Sequence, residues 1–463
     1  MAATHRIMKD SYDVIVIGGG SGGYAAAKSA SSEGLDVAII EGASELGGLC
    51  ILKGCMPSKT LIESSNRLRA IAEASEFAID VGEATLKVDE LRKRKETLVE
   101  GFKHYRKKGL EEGEADLIRG AARFTGEHQI EVDLGDEKKL IEAKVFIIAT
   151  GSDERIPDIE GLSDTPFWTS DDVVDFPEVP EDLIVLGTGA IGMECAHLFS
   201  GFGSKVTILS RSRPLLTDME PELSEAMEAR CRDLGIEIVF EKKIARVSYE
   251  EGRFTIHHED GTRIGGSRLI VAAGRTARIE ELNLGALGLE ELEIDEHART
   301  KVPHIFAAGD CASPLAVVHL AVQQGEAAGA NAAAFISGEE LQKTWDKSLM
   351  MLGIFTDPEL VQIGKVESEQ ESSVSAIYRY DDQGKGEIVG EKHGLVKLIA
   401  DKKTGRITGC SGMGPHVIDY SHAVMVAMHQ GMTVDEFMTV PFYHPTLGEI
   451  WSYVGEELQE KLS

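Results

Sequence analysis

The chain has 463 residues, of which 42% are hydrophobic and 49 are glycine, which indicates a soluble α/β protein of two or three domains. A formal charge of −30 argues against nucleic acid and against an anionic membrane as partners. No apolar run reaches the ~18 residues of a membrane helix, and no segment resembles a secretory signal. The six cysteines include one close pair, so we expect a reducing, cytoplasmic compartment and no secreted disulfide framework.

The first predicted unit is a strand, a glycine turn, a helix and a second strand. In "DVIVIGGGSGG" (13–23) an apolar β run ends in the G-x-G-x-x-G pattern of Gly18, Gly20 and Gly23. The first glycine allows a tight turn, the second lets the backbone approach a pyrophosphate, and the third lets helix and strand pack closely. Glu41 ends the second strand, where an acid can accept both ribose hydroxyls of FAD or NAD.

Two cysteines, Cys50 and Cys55, follow this unit in "ELGGLCILKGCMPSK". In a regular α-helix, residues five apart exceed the ~7 Å Cα limit for a disulfide, so a bond between them requires an irregular backbone. Gly47, Gly48 and Gly54 make that departure easier. A zinc site of this kind normally needs a second cysteine pair, which the sequence lacks. A redox couple is therefore favoured, with zinc ligation and two inert buried cysteines as alternatives.

A second strand–turn–helix unit repeats the first in the middle of the chain. "DLIVLGTGAIG" (182–192) carries Gly187, Gly189 and Gly192 in the same pattern and leads into the β run "KVTIL". One such pattern alone is weak evidence. Two copies, each in a βαβ context, predict two dinucleotide-binding folds.

The second unit differs from the first at the end of its second strand. Ser210 stands where the first copy has Glu41, and Arg211 and Arg213 follow it. Paired guanidinium groups suit the 2′-phosphate of NADPH, which an acid would repel. NADPH is therefore favoured over NADH, and a solvated basic turn is the alternative interpretation.

Two further apolar segments end in glycine turns, "VFIIATGS" (145–152) and "IFAAGDCA" (305–312). Both are typical of buried parallel strands, and Asp310 could accept a ribityl hydroxyl of a flavin. Because the second dinucleotide unit lies between them, we predict that it is an inserted domain. From about residue 346, short β runs and a helical pattern near 417–431 predict a third, α+β domain.

The stretch "GGLCILKGCMPSK" resembles the redox-disulfide motif of the class I pyridine nucleotide–disulfide oxidoreductases, which include dihydrolipoamide dehydrogenase, glutathione reductase and mercuric reductase. The resemblance spans nearly the whole chain. It implies an α/β fold with two Rossmann-like dinucleotide-binding domains and a C-terminal α+β dimerisation domain. The implied divisions are an FAD-binding domain in two parts (1–152 and 275–345), an NAD(P)-binding domain (153–274) and an interface domain (346–463).

The resemblance also implies roles for four further residues. The segment "HPTLGE" is similar to the family's H-P-T-x-x-E signature, with His444 as acid/base and Glu449 orienting it. His444 would then act at the active site of the other subunit, in a homodimer with shared active sites. Lys59 would lie near flavin N5 and pair with Glu194. Without the resemblance, these residues would be a loop histidine, a helix-start lysine and a helix acid.

The implied chemistry runs from a nicotinamide to FAD, which opens the disulfide at Cys55. The released Cys50 thiolate exchanges with a substrate disulfide while His444 moves the proton. FAD and NADPH or NADH are the implied cofactors, and no metal is expected. The residues assigned to these cofactors lie mainly in turns that follow strands: Gly18, Gly20, Ser21, Gly23, Glu41, Gly48, Lys59, Thr150, Gly151, Gly309 and Asp310 for FAD, and Gly187, Gly189, Ile191, Gly192, Ser210, Arg211, Arg213 and Gly274 for the nicotinamide dinucleotide.

The nearest member by motif is dihydrolipoamide dehydrogenase, since "PSK" follows Cys55, both redox cysteines are present and no C-terminal vicinal cysteines occur. A small dithiol or disulfide, or a lipoyl domain, is then the substrate. Leu49, Lys53, "GRTAR" (274–278) and the arginines after Ser210 depart from that member. The alternatives are an NADPH-dependent reductase of another disulfide (glutathione reductase-like), a mercuric reductase-like or electron-transfer flavoprotein, and a complex subunit that mainly binds a lipoyl-bearing partner.

Overall fold

The computed structural model of the chain describes residues 8–313 and 315–463. In chain order, the strands are β1 (Ser11–Ile17), β2 (Val37–Glu41), β3 (Asp116–Arg119), β4 (Ala121–Gly126), β5 (Gln129–Asp133), β6 (Lys138–Ile148), β7 (Ser152–Glu154), β8 (Asp182–Leu186), β9 (Lys205–Ser210), β10 (Glu237–Phe240), β11 (Ile244–Glu250), β12 (Arg253–His258), β13 (Arg263–Gly266), β14 (Arg268–Val271), β15 (Arg275–Ala277), β16 (Ile305–Ala307), β17 (Met351–Ile354), β18 (Glu359–Gly364), β19 (Ser373–Arg379), β20 (Leu395–Asp401) and β21 (Ile407–Gly414).

The helices are numbered in the same way. They are α1 (Ser21–Ser32), α2 (Leu49–Leu52), α3 (Cys55–Ala72), α4 (Val88–Glu111), α5 (Ser170–Val173), α6 (Ala190–Gly201), α7 (Pro221–Asp233), α8 (Val318–Ser337), α9 (Gly384–Val389), α10 (Val417–Tyr420), α11 (His422–His429), α12 (Val434–Phe437) and α13 (Ile450–Leu462). None of these helices combines the length and the apolar character needed to cross a membrane.

Two compact units make up the chain. Unit 1 contains the residues up to Ser58, Lys93–Glu154 and Arg275–Asp346, and unit 2 contains Lys59–Arg92, Arg155–Gly274 and Lys347–Ser463. Unit 2 thus holds both the predicted NAD(P)-binding segment and the predicted interface segment. The domain boundaries drawn from the sequence stay a prediction.

Unit 1 is built on a mainly parallel sheet. Its strand order is β3-β2-β1-β6-β5-β4, with β16 also paired to β6. The pairs β1–β2, β1–β6 and β6–β16 are parallel, and β6 and β16 are fully buried over 145–148 and 305–307. The two glycine-ended segments are therefore buried parallel strands, as predicted. Because parallel strands end at the same sheet edge, this sheet gathers the turns after β1, β2, β6 and β16.

Unit 2 contains a second parallel sheet, of order β10-β9-β8-β14, in which α6 follows β8. Its remaining sheets are antiparallel: β11-β12-β13, and β17-β18-β21-β20-β19. The five-stranded sheet carries α13, whose Trp451, Val454 and Leu458 are completely buried. This confirms an α+β segment after residue 346.

The helical pattern predicted near 417–431 is divided into α10 and α11 in the structure. The division occurs at Ser421, whose hydroxyl donates to the Val417 carbonyl over 2.6 Å. The Ser421 N–H donates to the same carbonyl over 3.1 Å and the residue has right-handed helical angles, so the segment stays helical on both sides of it, as predicted.

Candidate active site

The first glycine of each dinucleotide motif lies in close contact with the backbone at the end of a neighbouring parallel strand. A Cβ atom at Gly18 would lie 2.3 Å from the Ala149 carbonyl oxygen, and one at Gly187 would lie 2.2 Å from that of Ala272. Both residues have left-handed φ values, 105° and 122°. Since no side chain fits either place, the two motifs form the same turn in two different units.

The third glycine of each motif allows the helix to approach the turn. A Cβ atom at Gly23 would lie 1.9 Å from the Gly18 oxygen, and one at Gly192 would lie 2.2 Å from the Gly187 oxygen. Helix and strand therefore pack as the motif predicts.

The middle glycines, Gly20 and Gly189, are the N-caps of α1 and α6. Among the residues that the structure describes, no atom lies within 4 Å of a Cβ built on either one. Ser21 begins α1, and Ile191 lies in the first turn of α6. Open backbone at the N-terminus of a 12-residue helix leaves N–H groups for an anion, so both turns fit a pyrophosphate.

Glu41 ends β2 with its carboxylate held in place by backbone N–H groups. Gly19 donates to one oxygen and Ala43 to the other, each over 2.8 Å. A carboxylate offers about four lone-pair positions, so both oxygens can still accept from ribose hydroxyls. The arrangement fits the adenosine ribose of FAD.

At the ends of β6 and β16, the structure places Asp310 in a polar network that the sequence did not reveal. Ser152 donates its hydroxyl to Asp310 over 2.8 Å, and Arg275 donates to the Ser152 hydroxyl and carbonyl, each over 2.8 Å. The Gly309 N–H donates to the side-chain oxygen of the fully buried Gln324. The Gln324 Nε2 finds no acceptor within the described part of the chain.

An unsatisfied buried donor beside Asp310 is a reason to expect a polar group from outside the chain. Thr150 and Gly151 form the turn between β6 and β7, and Gly274 immediately precedes β15. Thr150, Gly151 and Asp310, together with the open Gly20 turn and Glu41, fit FAD along the edge of the unit 1 sheet. Gly274, which was assigned from the sequence to the nicotinamide dinucleotide, belongs to unit 2.

In the loop after β9, the two arginines of the predicted pair have different surroundings. The Ser210 side chain is buried and donates to the Ser212 carbonyl. Arg211 is exposed. Arg213 lies over the Phe240 ring at 3.7 Å and forms an ion pair with Glu228 at 3.2 Å.

Because Arg213 already has an anionic partner, the two arginines are not equivalent. Arg211 is the guanidinium group that can bind a phosphate without breaking an existing ion pair.

The backbone between the two close cysteines leaves the helix, as a disulfide between them would require. α2 ends at Leu52, Lys53 and Gly54 form a turn, and α3 begins at Cys55. A Cβ atom at Gly54 would lie 3.2 Å from the Cys50 Cα atom, so a side chain there would crowd Cys50.

Cys50 and Cys55 are half-buried thiols that hydrogen-bond to each other. This hydrogen bond and burial both raise the pKa of Cys50 above its ordinary value, while a hydrogen bond from the Cys55 backbone N–H and the positive charge of Arg106 act in the opposite direction. Two sulfur atoms at hydrogen-bond distance can form and break a disulfide with little movement.

In unit 2 the structure brings together Lys59 and Glu194. The Lys59 Nζ lies 2.8 and 3.0 Å from the two carboxylate oxygens. Phe355 contacts both partners: its N–H donates to Glu194 over 3.0 Å, and the Lys59 ammonium lies 4.7 Å from its ring centroid. A mostly buried carboxylate thus holds the ammonium at a fixed position.

His444 and Glu449 also lie together in unit 2. The His444 Nδ1 lies 3.0 Å from a Glu449 oxygen, with the imidazole 70% exposed and the carboxylate 12% exposed. The loop is held by the buried Gln383, whose side chain donates to the Thr446 carbonyl over 2.7 Å. With Nδ1–H donating to the carboxylate, Nε2 faces outward and can accept a proton.

Sequence reasoning missed five residues of these arrangements, which are Ser152, Gln324, Arg275, Phe355 and Arg106. Ser152 and Arg275 each follow a glycine that was assigned to cofactor binding, and that position was the only available signal. Gln324, Phe355 and Arg106 come from segments far along the chain from the groups they contact. No local pattern marks them.

Residues 12–325 match the family described as Pyridine nucleotide-disulphide oxidoreductase, and residues 351–454 match its dimerisation domain. A dihydrolipoyl dehydrogenase from Bacillus subtilis (strain 168) is 30% identical over 469 residues, which is 96% of this chain and 97% of the relative. A mercuric reductase from Shewanella putrefaciens is 31% identical and covers 96% of this chain, with 81% of its own length matched.

The solved structure of the HOCl-induced flavoprotein disulfide reductase RclA from Escherichia coli is similar, with a TM-score of 0.83 and 24% sequence identity. The match covers 96% of this chain and 99% of RclA. The predicted α/β class, with Rossmann-like sheets and a dimerisation segment, is confirmed by these similarities.

Proposed function

Because the chain belongs to the pyridine nucleotide-disulphide oxidoreductases, a family that depends on FAD and NAD(P), we propose that it passes electrons between NAD(P)H, FAD, the Cys50–Cys55 pair and a dithiol or disulfide substrate. It is a dihydrolipoyl dehydrogenase-like flavoprotein disulfide oxidoreductase. The observation that carries the proposal is the hydrogen-bonded thiol pair at the break between α2 and α3.

Bound FAD would supply two-electron exchange between the nicotinamide and the cysteine pair. The thiols themselves perform the exchange with substrate. The Cys50 thiolate attacks one substrate sulfur, forming a mixed disulfide and releasing the first substrate thiolate. Cys55 then attacks the Cys50 sulfur, which closes the protein disulfide and releases the second thiolate. The two protons lost by the cysteines end on the two substrate thiols.

We assign the proton transfer to His444, oriented by Glu449. The imidazole is 70% exposed, and its signature lies in the segment that matches the dimerisation domain. We therefore propose a homodimer in which His444 serves the cysteine pair of the other subunit. Lys59, which follows Cys55 by one turn on α3, would present its fixed positive charge to the flavin.

A subunit-mixing experiment tests the shared site. Cys50→Ser and His444→Ala chains are expected to be nearly inactive alone. After co-refolding, activity should return to about a quarter of the wild type, since half of the dimers are mixed and each holds one intact site. Turnover before and after mixing is the measurement. Mixed dimers without activity, shown to form by differently tagged chains, would contradict the shared site.

For the nicotinamide we propose NADPH, bound with its 2′-phosphate at Arg211. The buried serine at the end of β9 presents no carboxylate to a phosphate, and Arg211 is exposed, whereas the exposed Arg213 already forms an ion pair with Glu228. The dinucleotide turn at Gly187 and Gly189 would hold the pyrophosphate.

The Arg211→Glu variant is expected to lower the ratio of kcat/KM for NADPH to that for NADH by about 10- to 100-fold, since a hydrogen bond to a charged group contributes about 1.5–3 kcal/mol. Steady-state kinetics with both nicotinamides measure the ratio. Arg67→Glu is the matched control, because Arg67 is an arginine on α3, 79% exposed and outside the loop. An unchanged ratio in Arg211→Glu would refute the assignment.

The substrate itself is best sought among lipoyl-type dithiols and other small disulfides. A turnover screen with lipoamide, glutathione disulfide and further disulfides, each with both nicotinamides, tests the proposed function. A preference for glutathione disulfide with NADPH would favour the glutathione reductase-like alternative.

We also propose a cytoplasmic location, supported by the buried thiols of the other four cysteines: Cys195, Cys231, Cys311 and Cys410.

A further inference from the structure

Arg106, on α4, is a half-buried cation whose surroundings the proposed chemistry does not explain. Its guanidinium lies over the Tyr24 ring, 4.5 Å from the centroid, and Nη1 donates to the Gly20 carbonyl over 3.3 Å. Within the described ranges, no carboxylate forms an ion pair with it. Burial lowers the pKa of Arg106 from its ordinary value, but an arginine remains charged at neutral pH. A desolvated cation without an anionic partner is costly, so an anion is expected nearby.

The backbone contacts of Arg106 lead to the cysteine pair. Gly48 is the N-cap of α2, the helix that carries Cys50. A Cβ atom at Gly48 would lie 2.8 Å from the Gly20 Cα atom, so the start of α2 rests on the residue that Arg106 binds. The guanidinium charge acts on the Cys50 sulfur, and the reverse interaction stabilises the charged form of Arg106.

We propose that Arg106 is a positioning residue that holds a positive charge beside Cys50 and thereby favours its thiolate. Its use in turnover rests on the proposed function, in which Cys50 attacks the substrate. Ionisation of Cys50 releases the proton to a base or to water and leaves a thiolate. The positive charge of the half-buried Arg106 guanidinium attracts this thiolate. The Tyr24 ring and the Gly20 carbonyl keep the guanidinium in place by a cation–π contact and a hydrogen bond.

The backbone N–H of Cys55 also favours the Cys50 thiolate, by a hydrogen bond, and Arg106 adds the positive charge of a side chain. The Cys55 thiol, on α3, forms the hydrogen bond that favours the neutral form of Cys50, and burial acts in the same direction. Lys53 lies in the turn between the cysteines and Glu45 in the segment before α2, where Glu45 pairs with Lys103 of α4 at 2.7 Å.

The test is the pH dependence of Cys50 alkylation by iodoacetamide in the FAD-loaded Cys55→Ser protein, where a single thiol titrates at this place. Adding Arg106→Gln should move the midpoint of the rate upward by about one pH unit, because removing a nearby cation disfavours the thiolate. At a fixed pH below the midpoint, the rate should fall about tenfold. Arg106→Met, a second neutral variant, should give the same shift if the Gln variant does not fold.

Two further variants make the result specific. Arg106→Lys should restore most of the original midpoint, since it keeps the charge. Lys107→Gln, which removes a positive charge from the adjacent position of α4, should leave the midpoint unchanged. An unchanged midpoint in Arg106→Gln would overturn the proposal, and loss of bound FAD without a shift would assign the guanidinium to the pyrophosphate instead. Alkylation needs no turnover, so this result is independent of whether the protein reduces disulfides.

Discussion

The Cys50→Ser variant is expected to lose disulfide turnover by at least about 10⁴-fold, the scale of removing a covalent nucleophile, while NADPH still reduces its bound flavin. A serine hydroxyl remains protonated at neutral pH and forms no disulfide with Cys55. The flavin would therefore be reduced, but its electrons would not pass through the cysteine pair to a substrate disulfide. Steady-state turnover with a disulfide substrate, compared with anaerobic reduction of the flavin in a stopped-flow instrument, measures the two steps separately.

The matched control for this variant is Cys410→Ala. Cys410 is a fully buried thiol in β21 of the antiparallel sheet, so its loss should leave both steps in place. If Cys50→Ser kept substantial disulfide turnover, Cys50 would not be the exchanging thiol. If flavin reduction were lost as well, the assignment of Cys50 to the exchange with substrate, and not to flavin reduction, would be wrong.

The Lys397→Met variant is expected to lower the free energy of unfolding by about 3–5 kcal/mol, because it removes a buried ammonium group that contacts three carboxylates. The Lys397 side chain, on β20, is 3% exposed, and its Nζ lies 2.8 Å from Glu220, 3.0 Å from Glu222 and 2.9 Å from Glu367. Burial alone would lower the pKa of Lys397. The three carboxylates outweigh it, and the net pKa is raised. Methionine fills the space but leaves three carboxylates without their counter-charge.

Urea unfolding followed by circular dichroism measures the change. Lys392→Met is the control, since Lys392 pairs with Glu76 at 2.9 Å with both side chains more than half exposed, and such pairs contribute less than about 1 kcal/mol. Adding Glu220→Gln to Lys397→Met should recover part of the loss, because one buried charge is removed. Equal loss in the Lys392 and Lys397 variants would show that burial does not strengthen the cluster.

The pH dependence of this cluster has a defined sign. A lysine whose pKa is raised on folding contributes stability that is complete below the unfolded pKa of about 10.4, and loses it as the pH rises through the folded value. The difference between wild type and Lys397→Met should therefore be constant from neutral pH to about pH 10.

Much of the architecture could be predicted from the sequence, because steric rules act over a few residues. Gly18 and Gly187 occur where a Cβ atom would collide with the adjacent strand end, so each motif specifies its own turn. A bond between Cys50 and Cys55 would require an irregular backbone, and the chain leaves the helix between them, at Lys53 and Gly54. The helical pattern near 417–431 is likewise confirmed, as the two helices α10 and α11 separated by Ser421.

The sequence by itself determined the two glycine turns, the buried strands around them and the cysteine couple, because each depends on the shape of a short stretch of backbone. Only the tertiary structure decided that Arg213 is held by Glu228, that Phe355 supports the Lys59–Glu194 pair and that Arg106 lies beside the start of α2. These contacts join residues distant in the chain, and charges interact through space across separations that no local pattern records. Long-range packing therefore decides which charged groups contact one another at the candidate site, whereas the local motifs indicate which residue types are present there.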